Sequence, residues 1–192
     1  MAKVLVIRLS AIGDVAMTVP VIYSAAKANP EDSFTVLTQA FLMPLFMNRP
    51  PNVEVIGINT KGAEKGLIGL LKFISALLKF DFDVILDLHN VIRTIIICTF
   101  FRLNGKRVFV LDKARKERKR LTAIKGKRLY PLRPVIVRYA DVFRAAGLNY
   151  TETFTSLYEE FPAELSGMAS VAGIKKGKWI GVAPTKDAAG LV

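Results

Sequence analysis

The amino-acid sequence predicts an α/β fold in which a parallel sheet is wrapped by helices. Short apolar runs alternate with helix-length stretches along the chain, and the first run, Val4-Leu5-Val6-Ile7, is continuously aliphatic. A strand buried on both faces, as a parallel sheet requires, reads as a continuous apolar run instead of an alternating one. A third observation places chemistry on that fold. Arg8-Leu-Ser-Ala-Ile-Gly-Asp14 follows the run at once, setting a carboxylate where a first strand becomes a helix, the edge at which open α/β sheets bind ligands.

The elements follow in order. The aliphatic run predicts a strand over 3–8. Ser10, Ala11 and Gly13 are small, and a glycine can take positive φ, so the chain can turn tightly there with backbone N–H groups pointing outward. Asp14 falls at or near a helix start, where an N-cap is the alternative to a catalytic role. Pro20 would break a helix interior, so the spacing predicts a short first turn, then a second start near Thr18 with Pro20 in the opening turn of a helix over 18–28. A strand over 33–38 and a loop-rich stretch through Pro50-Pro51 lead to a strand over 53–58. Gly66 to Lys79 carries Lys72 and Lys79 and is short of the ~20 residues of a membrane span, so 65–79 reads as a helix that does not cross a membrane. Val84 to Leu103 is long enough to span, but Asp87, His89, Asn90 and Arg93 interrupt it. A strand over 83–88, a polar turn and a helix over 90–103 suit it better. A strand over 106–110, a basic segment, a helix over 134–146 and a strand over 179–183 complete the alternation, with right-handed crossovers.

Composition bounds the possibilities. At 192 residues, 52% of them hydrophobic, the chain can bury one sizeable core, or one domain and the beginning of another. That content excludes disorder. The single Cys98 lies in the apolar run Ile95-Ile-Ile-Cys-Thr-Phe-Phe101, where it is expected in the core and fits a reducing compartment. Arg8 cuts the N-terminal apolar stretch too short for a signal-peptide core, so a cytoplasmic location is expected. Charge is concentrated: between Lys113 and Arg133 ten basic residues face one acidic residue, Glu117, in a chain of net charge +12. By default such a run is a solvated loop.

The quoted motif, continued by Val15-Ala-Met-Thr-Val-Pro20, resembles the N-terminal signature of the ADP-heptose:lipopolysaccharide heptosyltransferases, glycosyltransferase family 9. Phe82-Asp-Val-Ile-Leu-Asp87-Leu-His-Asn-Val-Ile-Arg93 is similar to a second segment of that family, with His89-Asn90 where the family usually has Gln-Gly. Val137-Arg-Tyr-Ala-Asp-Val-Phe-Arg-Ala-Ala-Gly-Leu148 is similar to its acceptor-domain helix, and Lys178-Trp-Ile-Gly-Val-Ala-Pro184 to the first strand of its second domain. The resemblance implies a Rossmann-like parallel sheet, the N-terminal half of a glycosyltransferase B-type fold. Residues 1–177 would form the acceptor-binding domain, and 178–192 the start of a nucleotide-sugar-binding domain. It further implies inverting transfer of heptose from ADP-heptose to a Kdo-lipid A or lipopolysaccharide core acceptor, at the inner face of the inner membrane. No cofactor is implied; the nucleotide sugar is a donor substrate.

Such a transfer needs one carboxylate within reach of the acceptor hydroxyl as general base, and Asp14 is the candidate. A free Asp is ionised at neutral pH but weakly basic, and an apolar surround would strengthen it. The candidate acceptor-binding residues are Arg8, Ser10, Gly13, Asp87, His89, Asn90 and Arg93. Taken singly, Asp87 and Asn90 read first as turn and cap residues, and Arg8 and Arg93 either grip acceptor anions or form structural ion pairs. One histidine and one apolar-set cysteine give no metal cluster of the usual spacing. Arg115, Lys116, Arg118, Lys119 and Arg120 suit an anionic membrane surface, at about 1 kcal/mol per basic residue near it. Phe41 to Met47 and 66–79 could add apolar contact with lipid, and read at least as well as core or interdomain surface. The rival class is a non-catalytic basic module binding such a surface or nucleic acid. Readers of nucleic acid usually interleave aromatics, and only Tyr130 interrupts this run, so no nucleic acid is expected.

Overall fold

The computed structural model describes residues 1–62, 64–124 and 129–157. Five strands, β1 (Lys3–Ile7), β2 (Ser33–Gln39), β3 (Val53–Ile58), β4 (Val84–Asp87) and β5 (Arg107–Val110), form one sheet in the order β3-β2-β1-β4-β5. Every pairing is parallel, with Val4 opposite Phe34 on one side and Val84 on the other. Central β1 is buried on both faces from Val4 to Ile7, as its unbroken aliphatic run predicts. The fold is therefore an α/β, Rossmann-like sheet with flanking helices.

Side chains that alternate along each strand feed two cores. Leu5, Ile7, Leu37 and Ile85 meet Leu70, Ile74 and Leu77 of α3 (Gly66–Leu78) and Ile97, Cys98 and Phe101 of α4 (Ile92–Leu103). Each such buried aliphatic contributes about 1.5–3 kcal/mol relative to exposure. On the opposite face Phe34 stacks on Phe143 of α6 (Val135–Ala145), ring centroids 6.5 Å apart. The turn after β1 is α1 (Ile12–Ala16), and α2 (Val19–Ala28) starts with Thr18 at its N-cap and Pro20 in its opening turn, the break that Pro20 dictates.

Three expectations change. The stretch after β2 is not loop throughout: Ala40–Phe46 winds as a 3-10 helix because Leu42 and Phe46 are buried beneath it. It packs on β3 at Gly57, where a Cβ would come within 2.6 Å of Met43 Sδ and 2.8 Å of Ala40 Cα. The basic segment is not solvated loop throughout: Arg115–Leu121 forms α5, a helix with no buried residue, from strong helix formers. Gly13 is helical, inside α1, and is not among the positive-φ glycines; Asn90, at φ 51°, makes the left-handed turn beside the site. The strand expected over 179–183 and the boundary at 177/178 lie outside the described residues.

Candidate active site

The strand order reverses between β1 and β4, and the loops leaving their C-terminal ends diverge there, which opens a crevice. Ile7 is level with Asp87 across that pair, so Arg8 and the Leu88–Asn90 turn emerge side by side. The buried Arg8 side chain reaches across, its Nη1 donating to the Leu88 carbonyl at 2.6 Å. Its Nη2 forms an ion pair with Asp14 Oδ2. The Asp14 carboxylate is 40% exposed. Asp14 is therefore not the N-cap of α1, a position held by Ala11, and its surround is cationic and partly solvated instead of apolar.

A cavity of about 390 Å³ opens here, lined by Arg8, Ser10 and Asp14 from the β1 side, His89 from β4, Lys113 after β5, Arg118 of α5, and Arg138 and Tyr139 of α6. Four cations thus face one carboxylate. Arg8 Nε, His89 Nδ1, Arg138 Nε and Tyr139 Oη are all buried and have no hydrogen-bond partner among the described residues. Buried polar groups are ordinarily satisfied, so four orphans around one cavity mark where ligand atoms belong. Burial, then the charges of Arg8 and Lys113, push the His89 imidazole down to about 4, so it is neutral at physiological pH. Its Nε2 lies 3.3 Å from Ser10 Oγ. The two tautomers of the neutral ring exchange the roles of this bond, leaving the buried Nδ1 as a donor when the Ser10 hydroxyl donates and as an acceptor when Nε2–H does. Burial pushes the Tyr139 hydroxyl up, so it is a donor. The Arg8 guanidinium stands 5.9 Å over the Tyr139 ring.

Of the sequence candidates, Arg8, Ser10, Asp14 and His89 come together around this cavity. Asp87 does not line it. Its buried carboxylate accepts the backbone N–H groups of His89 and Asn90 at 2.9 and 2.8 Å, and the Thr94 hydroxyl at 2.8 Å. The Cys98 thiol, pushed up to about 12 by burial and by Asp87, donates to the same carboxylate. Asp87 shapes the turn that presents His89. Asn90 donates to the Leu111 carbonyl at 3.1 Å, and Arg93 to the Glu64 carbonyl at 3.0 Å. Gly13 has open space where a Cβ would stand. In α5, Arg118 lines the cavity and Arg115 a neighbouring groove, while Lys119 and Arg120 are exposed. Lys113, Arg138 and Tyr139 carried no site role in the sequence reading. The signal for Arg138 is a charge placed directly beside the buried stripe of its helix. Among the described residues no His/Cys/Asp/Glu group could hold a metal, and no helix is long and apolar enough to cross a membrane.

A parallel sheet with its reversal at β1/β4 and a cation-lined crevice there defines a Rossmann-like α/β fold with a candidate site at its switch point. Comparison with solved structures gives that fold a particular likeness. The chain resembles a glycosyltransferase of family 9 from Veillonella parvula, with TM-score 0.62 and 20% identity over 96% of this chain and 55% of that one. It also resembles Escherichia coli heptosyltransferase WaaC with ADP-2-deoxy-2-fluoro heptose, with TM-score 0.53 and 21% identity over 80% of this chain and 50% of the other. Escherichia coli ADP-heptose lipopolysaccharide heptosyltransferase II matches with TM-score 0.52 and 21% identity, over 91% and 51%. The chain spans about half the length of these structures, and the likeness is one of glycosyltransferase B-type fold. No protein-family model and no curated protein matches the sequence.

Proposed function

We propose that this chain is the acceptor-binding part of a glycosyltransferase that moves a sugar from a nucleotide-sugar donor to an anionic acceptor. The finer reading is heptose from ADP-heptose, with inversion, onto Kdo-lipid A or the lipopolysaccharide core at the cytoplasmic face of the inner membrane. One observation carries it: the residues whose polar atoms stay unpartnered, the donors of Arg8, Arg138 and Tyr139 and the ring Nδ1 of His89, line one cavity whose only carboxylate, among the described residues, is Asp14. Carboxylates and phosphates satisfy such donors, and guanidinium groups match them in a planar fork. Asp14 would take the proton of the acceptor hydroxyl as its oxygen bonds to the anomeric carbon. The bond from that carbon to the diphosphate breaks on the opposite face, and its electron pair leaves with the nucleotide. Arg8 holds Asp14 in place for this step. The exposed cations of α5, including Lys119 and Arg120, favour an anionic membrane that carries the acceptor.

The test is ADP-heptose transfer to Kdo-lipid A by this chain, alone and fused to the C-terminal half of the Veillonella parvula relative. Transfer is expected from the fusion, and Asp14→Asn should lower kcat by about 10²–10⁴-fold, the span of general-base catalysis. Undiminished turnover in that variant removes Asp14 from the mechanism.

A further inference from the structure

Large apolar side chains are exposed unevenly on this fold. Leu67 and Ile68 open α3 at 60% and 74% exposure, and Ile92 opens α4 at 79%. Leu71 and Ile95 continue the same faces one turn on, at the i+3 and i+4 positions that share a helix surface. The two helices cover one face of the sheet, and Arg93 of α4 ties their starts together through the Glu64 carbonyl. These helix starts follow β3 and β4, which puts the apolar strip at the sheet edge that carries the crevice.

The rim of the strip is basic. Lys61, Lys65 and Lys72 are exposed around the α3 portion, whereas the Glu64 carboxylate accepts the Asn59 N–H at 2.8 Å. Beyond α4, a groove of about 540 Å³ places Ile92 and Ile95 against Lys113 and Arg115. Lys113 also lines the crevice, so groove and site are neighbours that share this side chain. Lysine is depleted at the centre of protein–protein interfaces. Leucine and isoleucine bordered by lysine and arginine is instead the composition of surfaces that settle into an anionic lipid interface.

We propose that the strip formed by the first turns of α3 and α4 is a docking surface for an anionic lipid bilayer. Its apolar side chains enter the acyl boundary and its lysines and arginines meet the lipid phosphates, with the crevice held at the membrane surface. For its purpose this rests on the lipid-borne acceptor, but the binding is tested without any sugar.

The 192-residue chain is floated with vesicles of phosphatidylethanolamine and phosphatidylglycerol, and with vesicles of phosphatidylcholine alone. Flotation is expected with the anionic vesicles. The double variant Ile68→Ser/Ile92→Ser should weaken the partition at least about tenfold, with circular dichroism unchanged because both sites are exposed. A separate Ile68→Trp variant, with Trp179→Phe to silence the native indole, should shift its emission to the blue on the anionic vesicles. The proposal is overturned if the chain ignores both vesicle types, if the serine variant floats like the wild type, or if the emission of the Ile68→Trp variant does not move. Self-association without vesicles that the serine substitutions abolish would assign the strip to a second copy and equally overturn it. Vesicle binding by the chain, with no sugar transfer by the fusion, leaves the docking surface standing and removes the proposed activity.

Discussion

Arg8 is the first residue beyond β1, and its guanidinium is divided among the Leu88 carbonyl, the Asp14 carboxylate and the open cavity. A lysine could keep the ion pair, but not a planar fork that serves three directions. His89 sits beside it under a different constraint, since burial and the same guanidinium keep it neutral with its pKa near 4. In the unfolded chain a histidine titrates near 6.5. Between those values the unfolded state binds a proton that the native state does not, so stability is fully present above about pH 6.5 and falls as the pH drops toward 4. Thermal melts at pH 7 and pH 5 should therefore separate more for the wild type than for His89→Gln. The difference should amount to about 1–3 kcal/mol over the full window. Parallel pH dependences in the two proteins would mean that His89 is not held neutral by the fold.

At the scale of elements, α6 decides whether the site exists, because it delivers Arg138 and Tyr139 from a distant part of the chain. Its seat is Phe143, fully buried against Phe34 of β2. Phe143→Ala should cost about 3–5 kcal/mol in chemical denaturation. It should also weaken anion binding at a cavity it does not line, because the helix loses its register against the sheet. The sequence made much of this legible. The continuous aliphatic run gave β1, Pro20 gave the division between α1 and α2, and the small residues before Asp14 placed a carboxylate at the right sheet edge. It did not show α5, because a helix with no buried face leaves no hydrophobic period to read. Nor did it separate Asp87, which turns inward to hold the 88–90 backbone, from His89 two residues on, which faces the cavity. That distinction depends on where Thr94 and Cys98 stand, and only the packed α4 supplies it. The roles of Arg138 and Tyr139 were hidden for a related reason, since the cavity they line is assembled from residues more than a hundred positions apart.

At the scale of the whole molecule, a chain of net charge +12 lines its crevice with Arg8, Lys113, Arg118 and Arg138 against Asp14, and this cationic lining draws anions toward it. Exposed and buried members of that charge set should respond differently to ions in solution. At ~0.15 M salt, charges further apart than about 8 Å in water are largely screened, while buried groups are much less so. Arg118 is exposed and Tyr139 is fully buried, yet both line the cavity. Binding of a Kdo-containing oligosaccharide should weaken as salt rises, and Arg118→Ala should flatten that slope. Tyr139→Phe should lower affinity by a similar factor at every salt concentration, because it removes one desolvated donor, about 0.5–1.5 kcal/mol. The same substitution should leave thermal stability unchanged or raise it, since it deletes a buried hydroxyl that the protein leaves unpaired. Calorimetric titrations across a salt series, with melts of the unliganded variants, test all three. A Tyr139→Phe protein that loses stability but keeps its affinity would show that the hydroxyl serves the fold and not the ligand.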